Sequence, residues 1–279
     1  VYLYYGMRRG GDTVFAMYVT DKQNPILMWA KDGNDIPGLG QTWSTPIPTR
    51  IEIADKGQNP DDSVLVFGGG YDSSQDNDPY SVDGSGNNIT IIDALSGALL
   101  WQASSDNSNL NLPKMVNSIP GDVRVLDLNN DGYADRFYAS DTGGRVWRID
   151  ITNGNTANTL AAGGVLAELG AAGMGAPTLA DTRRFYYAPD TAVITTKSMR
   201  FMHVGIGSGY RAHPLDRDNQ NAFYALRDKN TFNSLTQAQY DALAPITPAD
   251  LVDVTDDASP NIADGQPGWK IELRGGGWI

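Results

Sequence analysis

The chain has 279 residues, 41% hydrophobic and 19% charged, long enough for one large core or two ordinary ones. Lys plus Arg number 21 against 33 Asp plus Glu, a formal net charge of −12; this argues against nucleic acid as a partner, because affinity for a phosphate backbone rests on surplus Lys and Arg. Cysteine is absent, which excludes disulfides and thiolate chemistry, and no apolar run approaches the roughly 20 residues that a membrane-spanning helix needs.

Thirteen Tyr, six Trp and 31 Gly point to many short aromatic strands separated by tight turns. In chain order, residues 1–5 read as a strand running into Gly6. Residues 13–20 and 26–29 follow as an alternating strand, a turn and an apolar strand ending at Trp29. The pattern returns with 42–46 and 50–53, then 63–67 before Gly68, then 88–94, a turn at Ser96-Gly97 and 98–101 ending at Trp101. A third copy runs through 123–126, 136–140 and 144–150, with a turn at Asn153-Gly154. The fourth runs through 192–195, 200–204 and 221–228, its closing strand delayed to 269–273.

Units of about four strands recurring every 55–80 residues or so are the signature of propeller blades. The expected fold is all-β: a β-propeller with about four blades as an arc of a larger ring, a partial first blade and fuller ones over about 40–104, 114–168 and 176–274. The whole chain, 1–279, reads as one propeller domain. Its abrupt ends, at Val1-Tyr2-Leu3-Tyr4 and Gly275-Gly276-Gly277-Trp278-Ile279, read as those of a fragment.

Three long loops interrupt the pattern. The acidic 72–88 stretch, with Asp72, Asp76, Asp78 and Asp83, reads as a solvated excursion rather than a second metal loop, since it lacks alternating ligands. The Ala- and Gly-rich 160–180 stretch reads as an irregular linker. Residues 228–266 read as a partner-facing insertion with short helices, one opened by the capping box Thr236-Gln237-Ala238-Gln239 and another starting at Thr247-Pro248.

Residues 127–135, Asp-Leu-Asn-Asn-Asp-Gly-Tyr-Ala-Asp, carry the strongest chemical signal. Oxygen-bearing side chains stand at positions 1, 3, 5 and 9 (Asp127, Asn129, Asp131 and Asp135), a glycine at 6, and Tyr133 at 7 can offer its main-chain carbonyl. Ca²⁺ takes roughly 6–8 oxygen ligands, and a short loop bent at glycine aims alternate side chains at one point. Position 12, a bidentate Glu in an EF-hand, is Tyr138 here, and the flanks read as strands rather than helices. The expected cofactor is therefore one Ca²⁺ held directly by Asp135 as well. A plain Asp-Gly hairpin turn is the alternative.

Around this loop the sequence closely resembles the C-terminal domain of PilY-type type IV pilus tip adhesins. The resemblance is carried by Asn107-Ser108-Asn109-Leu110, Met115-Val116-Asn117-Ser118-Ile119-Pro120, the Asp127 to Asp135 loop with the strand after it, Gly6-Met7-Arg8-Arg9-Gly10-Gly11, and Gly205-Ile206-Gly207-Ser208-Gly209-Tyr210-Arg211-Ala212-His213-Pro214. It implies a modified, quinoprotein-like propeller with a single calcium loop, whose ligands fall on Asp127, Asn129, Asp131, Tyr133 and Asp135. It also implies a non-enzymatic part of a large exported protein, at the pilus tip, cell surface or outer membrane of a Gram-negative bacterium. Members of the family support pilus assembly, adhesion and twitching motility, with calcium linked to keeping pili extended against retraction. The implied partners are minor pilins of the tip complex, and a host-cell or surface receptor reached through regions outside this sequence. Arg9-Gly10-Gly11-Asp12 has one glycine too many for an Arg-Gly-Asp motif.

Three other readings compete. In a quinoprotein dehydrogenase, calcium acts as a Lewis acid beneath a quinone, but ligands consecutive in one loop leave little room for such a cofactor. In an integrin-type propeller the calcium loops repeat blade after blade, whereas one copy is evident here. In the third reading the ion only staples a hairpin in a structural scaffold. No nucleophile is paired with a base, and the two histidines, His203 in an apolar strand and His213 before Pro214, read as structural.

Overall fold

The computed structural model describes residues 1–77 and 79–273. Asp78 of the acidic loop and the 274–279 tail, with the last position of the fourth expected blade, lie outside the described residues. Four sheets follow one another along the chain. The first holds β1 (Tyr2–Gly6), β2 (Val14–Tyr18) and β3 (Ile26–Lys31). The second holds β4 (Ile47–Arg50), β5 (Ser63–Gly68), β6 (Ile89–Asp93), β7 (Leu99–Ser104) and β8 (Leu110–Asn111) in that order. The third runs from β9 (Arg124–Leu126) through β10 (Arg136–Ser140) and β11 (Arg145–Ile151) to β12 (Ala161–Glu168). The fourth contains β13 (Asp190–Thr195), β14 (Arg200–Gly207), β15 (Ala222–Asp228), β16 (Val252–Asp253) and β17 (Gly268–Glu272), with β17 between β15 and β16. Neighbours pair antiparallel except β7 with β8 and β16 with β17.

The central strands of the second and third sheets are apolar on both faces because each of these sheets lies between two others. In β5, Val64 and Val66 join the cluster shared with the third sheet, while Leu65 and Phe67 join the one shared with the first. In β10, Phe137 and Ala139 face the second sheet and Tyr138 faces the fourth. Side chains alternate along a strand, so a continuous apolar run supplies both interfaces at once. Three apolar clusters thus join the sheets in sequence, as blades of a propeller.

Several local expectations change. The 160–180 stretch is not an irregular linker: it contains β12, the closing strand of the third blade, paired along β11 from Arg145 to Ile151. Its small residues are required by the space, since a Cβ on Gly163 would lie 2.9 Å from Ile149 and one on Gly164 3.0 Å from the Tyr240 ring. The second blade opens with Ile47–Arg50 rather than 50–53; Pro48 is tolerated because β4 is an edge strand. The 72–88 loop is not a solvated excursion. Asp83 is buried within it and accepts hydrogen bonds from Ser74 Oγ, Gln75 Nε2, Ser118 N and Thr142 Oγ1.

The 228–266 insertion contains α1 (Gln237–Ala242), opened by the reciprocal Thr236–Gln239 capping box as expected. At Thr247 the chain forms a turn closed on the Asp250 carboxylate instead of a second helix. The insertion packs on the edge of β12, where the Gln237 side-chain amide exchanges two hydrogen bonds with the Gly163 backbone. Among the described residues no helix is long and apolar enough to cross a membrane.

Candidate metal centre

The β9–β10 connection is the 127–135 loop, and its hydrogen bonds are those of successive Asx turns. Asp127 accepts from the amides of Asn130 (2.6 Å) and Gly132 (2.9 Å). Asn129 Oδ1 accepts from Asp131 N at 2.8 Å, and Asp131 Oδ1 from Tyr133 N at 2.8 Å. Asp135 reaches back to the start of the loop and accepts from Leu128 N at 2.6 Å and Asn129 N at 3.3 Å. The tight curl requires left-handed backbone at Asn130 (φ 64°) and Gly132 (φ 90°), conformations that Asn and Gly adopt at low cost. The alternating residues 1, 3, 5 and 9 are thereby each fixed by a backbone amide.

Asp127, Asn129 and Asp131 are exposed, while Tyr133 and Asp135 are half-buried. Desolvation pushes the Asp127 carboxyl up, but the amides of Gly132, Asn130, Asp131 and Asn129 together outweigh it and hold its pKa below the ordinary value. Among the described residues no three His, Cys, Asp or Glu side chains are gathered closely enough to hold a metal alone. The donor set of this loop is mixed: three carboxylates, the Asn129 amide oxygen and the Tyr133 main-chain oxygen. An all-oxygen set carrying three negative charges on nine residues fits a hard cation, and Asp127, Asn129, Asp131, Tyr133 and Asp135 are the residues that could hold it.

The loop is also tied to the preceding blade. Tyr133 OH accepts from Arg50 Nη2 at 2.7 Å and donates to Asp62 Oδ2 at 3.2 Å, and the Arg50 guanidinium lies 4.3 Å from the centre of the Tyr133 ring. Sequence reasoning misses Arg50 and Asp62, which stand 83 and 71 residues before Tyr133. The only cue is the blade repeat, which sets the β4–β5 turn beside the β9–β10 loop. The other residues weighed in the sequence are structural: His203 is half-buried, its pKa lowered by desolvation, and His213 Nε2 lies 2.8 Å from the Asp76 carbonyl. Arg9 braces the 72–88 loop through a two-point pair with Asp76.

Four sheets packed in series, with one Asx-rich loop between two strands of the third, define a β-propeller module with a candidate cation loop. Over 149 residues, 53% of the chain, the sequence is 32% identical to the type IV pilus biogenesis factor PilY1 of Pseudomonas aeruginosa. Over 145 residues it is 31% identical to a PilY1 homologue of Xylella fastidiosa. The chain spans only 11% and 10% of these two relatives. The crystal structure of the P. aeruginosa PilY1 C-terminal domain superimposes with a TM-score of 0.69 at 19% identity, over 98% of this chain and 59% of that one. No protein-family profile matches the sequence. The chain is thus a sequence relative of PilY1 over about half its length, and it has the fold of the PilY1 C-terminal domain over nearly all of it.

Proposed function

We propose that this chain is a calcium-binding, non-enzymatic propeller module of the type IV pilus system. The observation that carries the reading is the Asp127 to Asp135 loop, whose alternating oxygen donors are each aligned by a backbone amide on a fold shared with a pilus biogenesis factor. One Ca²⁺ held by Asp127, Asn129, Asp131, Asp135 and the Tyr133 carbonyl supplies positive charge where three carboxylates otherwise repel one another. Donors consecutive in a single loop enclose an ion rather than present it to a substrate, which supports a non-enzymatic role.

In the intact protein the module acts outside the cell at the pilus tip, with minor pilins as partners. The ordered loop tunes extension against retraction there, and with it adhesion and twitching. The test begins with calorimetric calcium titration of the chain. One-site binding is expected, weakened at least about tenfold in Asp131→Ala, because calcium affinity follows the number of charged ligands. In bacteria carrying Asp131→Ala in the intact protein, pilus number and twitching are expected to fall. Unchanged pili despite lost binding would leave the ion a structural staple.

A further inference from the structure

We propose that Asp62 and Arg50, on the blade before the cation loop, are positioning residues for it, so that ion binding is thermodynamically coupled to the β4–β5 turn. This rests on the loop being a calcium site. Tyr133 is the one member of the donor set whose contribution is main-chain, so nothing on its own side chain anchors it to the ion. Its side chain is instead held from across the blade interface. The hydroxyl takes a hydrogen bond from Arg50 Nη2 at 2.7 Å and gives one to Asp62 Oδ2 at 3.2 Å, and the ring lies against the guanidinium. Arg50 is itself fixed, since its Nε donates to the Asp61 carbonyl at 2.8 Å and its own carbonyl accepts from Ala134 N at 2.9 Å.

Both flanks of the Tyr133 peptide are therefore held by the preceding blade: the side chain before it, and the Ala134 amide after it. Asp62 adopts a left-handed conformation, φ 53°, at the corner of the turn, the backbone state that delivers its carboxylate to the hydroxyl. A ligand that needs the Tyr133 carbonyl in one orientation favours the clamped state, and by reciprocity the clamp favours the ligand. Groups behind the ligands commonly set metal affinity in this way.

Arg50 is a poor probe, because removing it deletes both a tether and a positive charge beside the loop. Tyr133→Phe keeps every charge and the ring, and removes only the hydroxyl. Asp62→Asn keeps an acceptor oxygen and tolerates the left-handed backbone, whereas Asp62→Ala loses the acceptor. The experiment is calorimetric titration with Ca²⁺ of the full chain and these three variants, with hydrogen exchange at 59–63 with and without the ion. Tyr133→Phe and Asp62→Ala are expected to bind about tenfold more weakly, and Asp62→Asn to stay within about twofold of Asp62. Calcium is expected to slow exchange at 59–63 in the parent chain but not in Tyr133→Phe. Parent-like affinity in Tyr133→Phe, or protection confined to 127–135 in the parent, overturns the coupling while leaving the loop a calcium site. Absence of binding by the parent chain overturns the calcium reading and the coupling with it.

Discussion

Asp141 lies fully buried between β10 and β11, accepting hydrogen bonds from the amides of Gly143 and Arg145 and from the indole of Trp147. Burial raises its pKa to about 6, outweighing the opposing pull of Arg145 and the three donors. The sign follows from linkage. The folded state takes up this proton at higher pH than the unfolded one, so the contribution to stability grows as pH falls from about 6 toward 4. Between pH 7 and pH 5 the gain is about 1 kcal/mol. His203 works the other way, because desolvation lowers its pKa and protonation below its ordinary range then favours the unfolded chain. Comparing variants cancels that term. Urea unfolding at the two pH values is expected to lose the Asp141 gain in Asp141→Asn; an identical pH difference in both proteins would mean that Asp141 titrates normally.

At the scale of elements, a Trp-on-turn contact joins the first blade to the second. Trp29, within β3, donates to the Ala94 carbonyl at 3.3 Å and sits against the Gly97 turn of the next blade. Gly97 has φ 70°, and a Cβ there would come within 2.8 Å of the indole. Gly97→Ala is expected to cost about 2 kcal/mol or more in urea unfolding, from left-handed strain plus displacement of Trp29. The strand–turn–Trp pattern was legible because β-branched and aromatic runs bounded by Gly turns make their own case locally. The 161–168 strand was not, since Ala-Ala-Gly-Gly-Val-Leu-Ala-Glu has no strand preference of its own. It is a strand because β11 needs a partner and because Arg148, Ile149 and Tyr240 crowd the site so closely that glycine is needed. The candidate loop was legible as a local pattern for the converse reason: its oxygen-bearing residues lie within nine positions, so spacing alone picks out the segment that folds into linked Asx turns. Arg50 and Asp62 reach Tyr133 across a blade interface, and no local pattern carries that information.

For the whole molecule, the clusters and a buried ionic network decide whether the blades unfold together. Each apolar cluster spans two adjacent sheets. Arg148 of the third blade pairs with Asp150 at 2.8 Å and with Asp228 of the fourth at 2.8 Å, while Arg136 pairs with Asp150 and donates to the Thr231 and Asn233 carbonyls of the insertion. Tyr138 and Tyr240 complete the set on Asp228 and Asp150. Breaking one member strands buried charge, so the insertion and the last two blades are expected to unfold as one. The proposed calcium, bound only by the folded loop, is then expected to stabilise the entire array. At a free concentration 100 times Kd the gain is about 2.7 kcal/mol, which raises Tm by about 5–10 °C in a chain of this size. Scanning calorimetry with calcium and then with chelator is expected to show a single transition that shifts as a unit, and no shift in Asp131→Ala. Two resolved transitions, only one of them calcium-sensitive, would mean that the second and third blades form a cooperative unit separate from the fourth. Any effect of the ion on a partner would then have to arise within those two blades, because no coupling would carry it further.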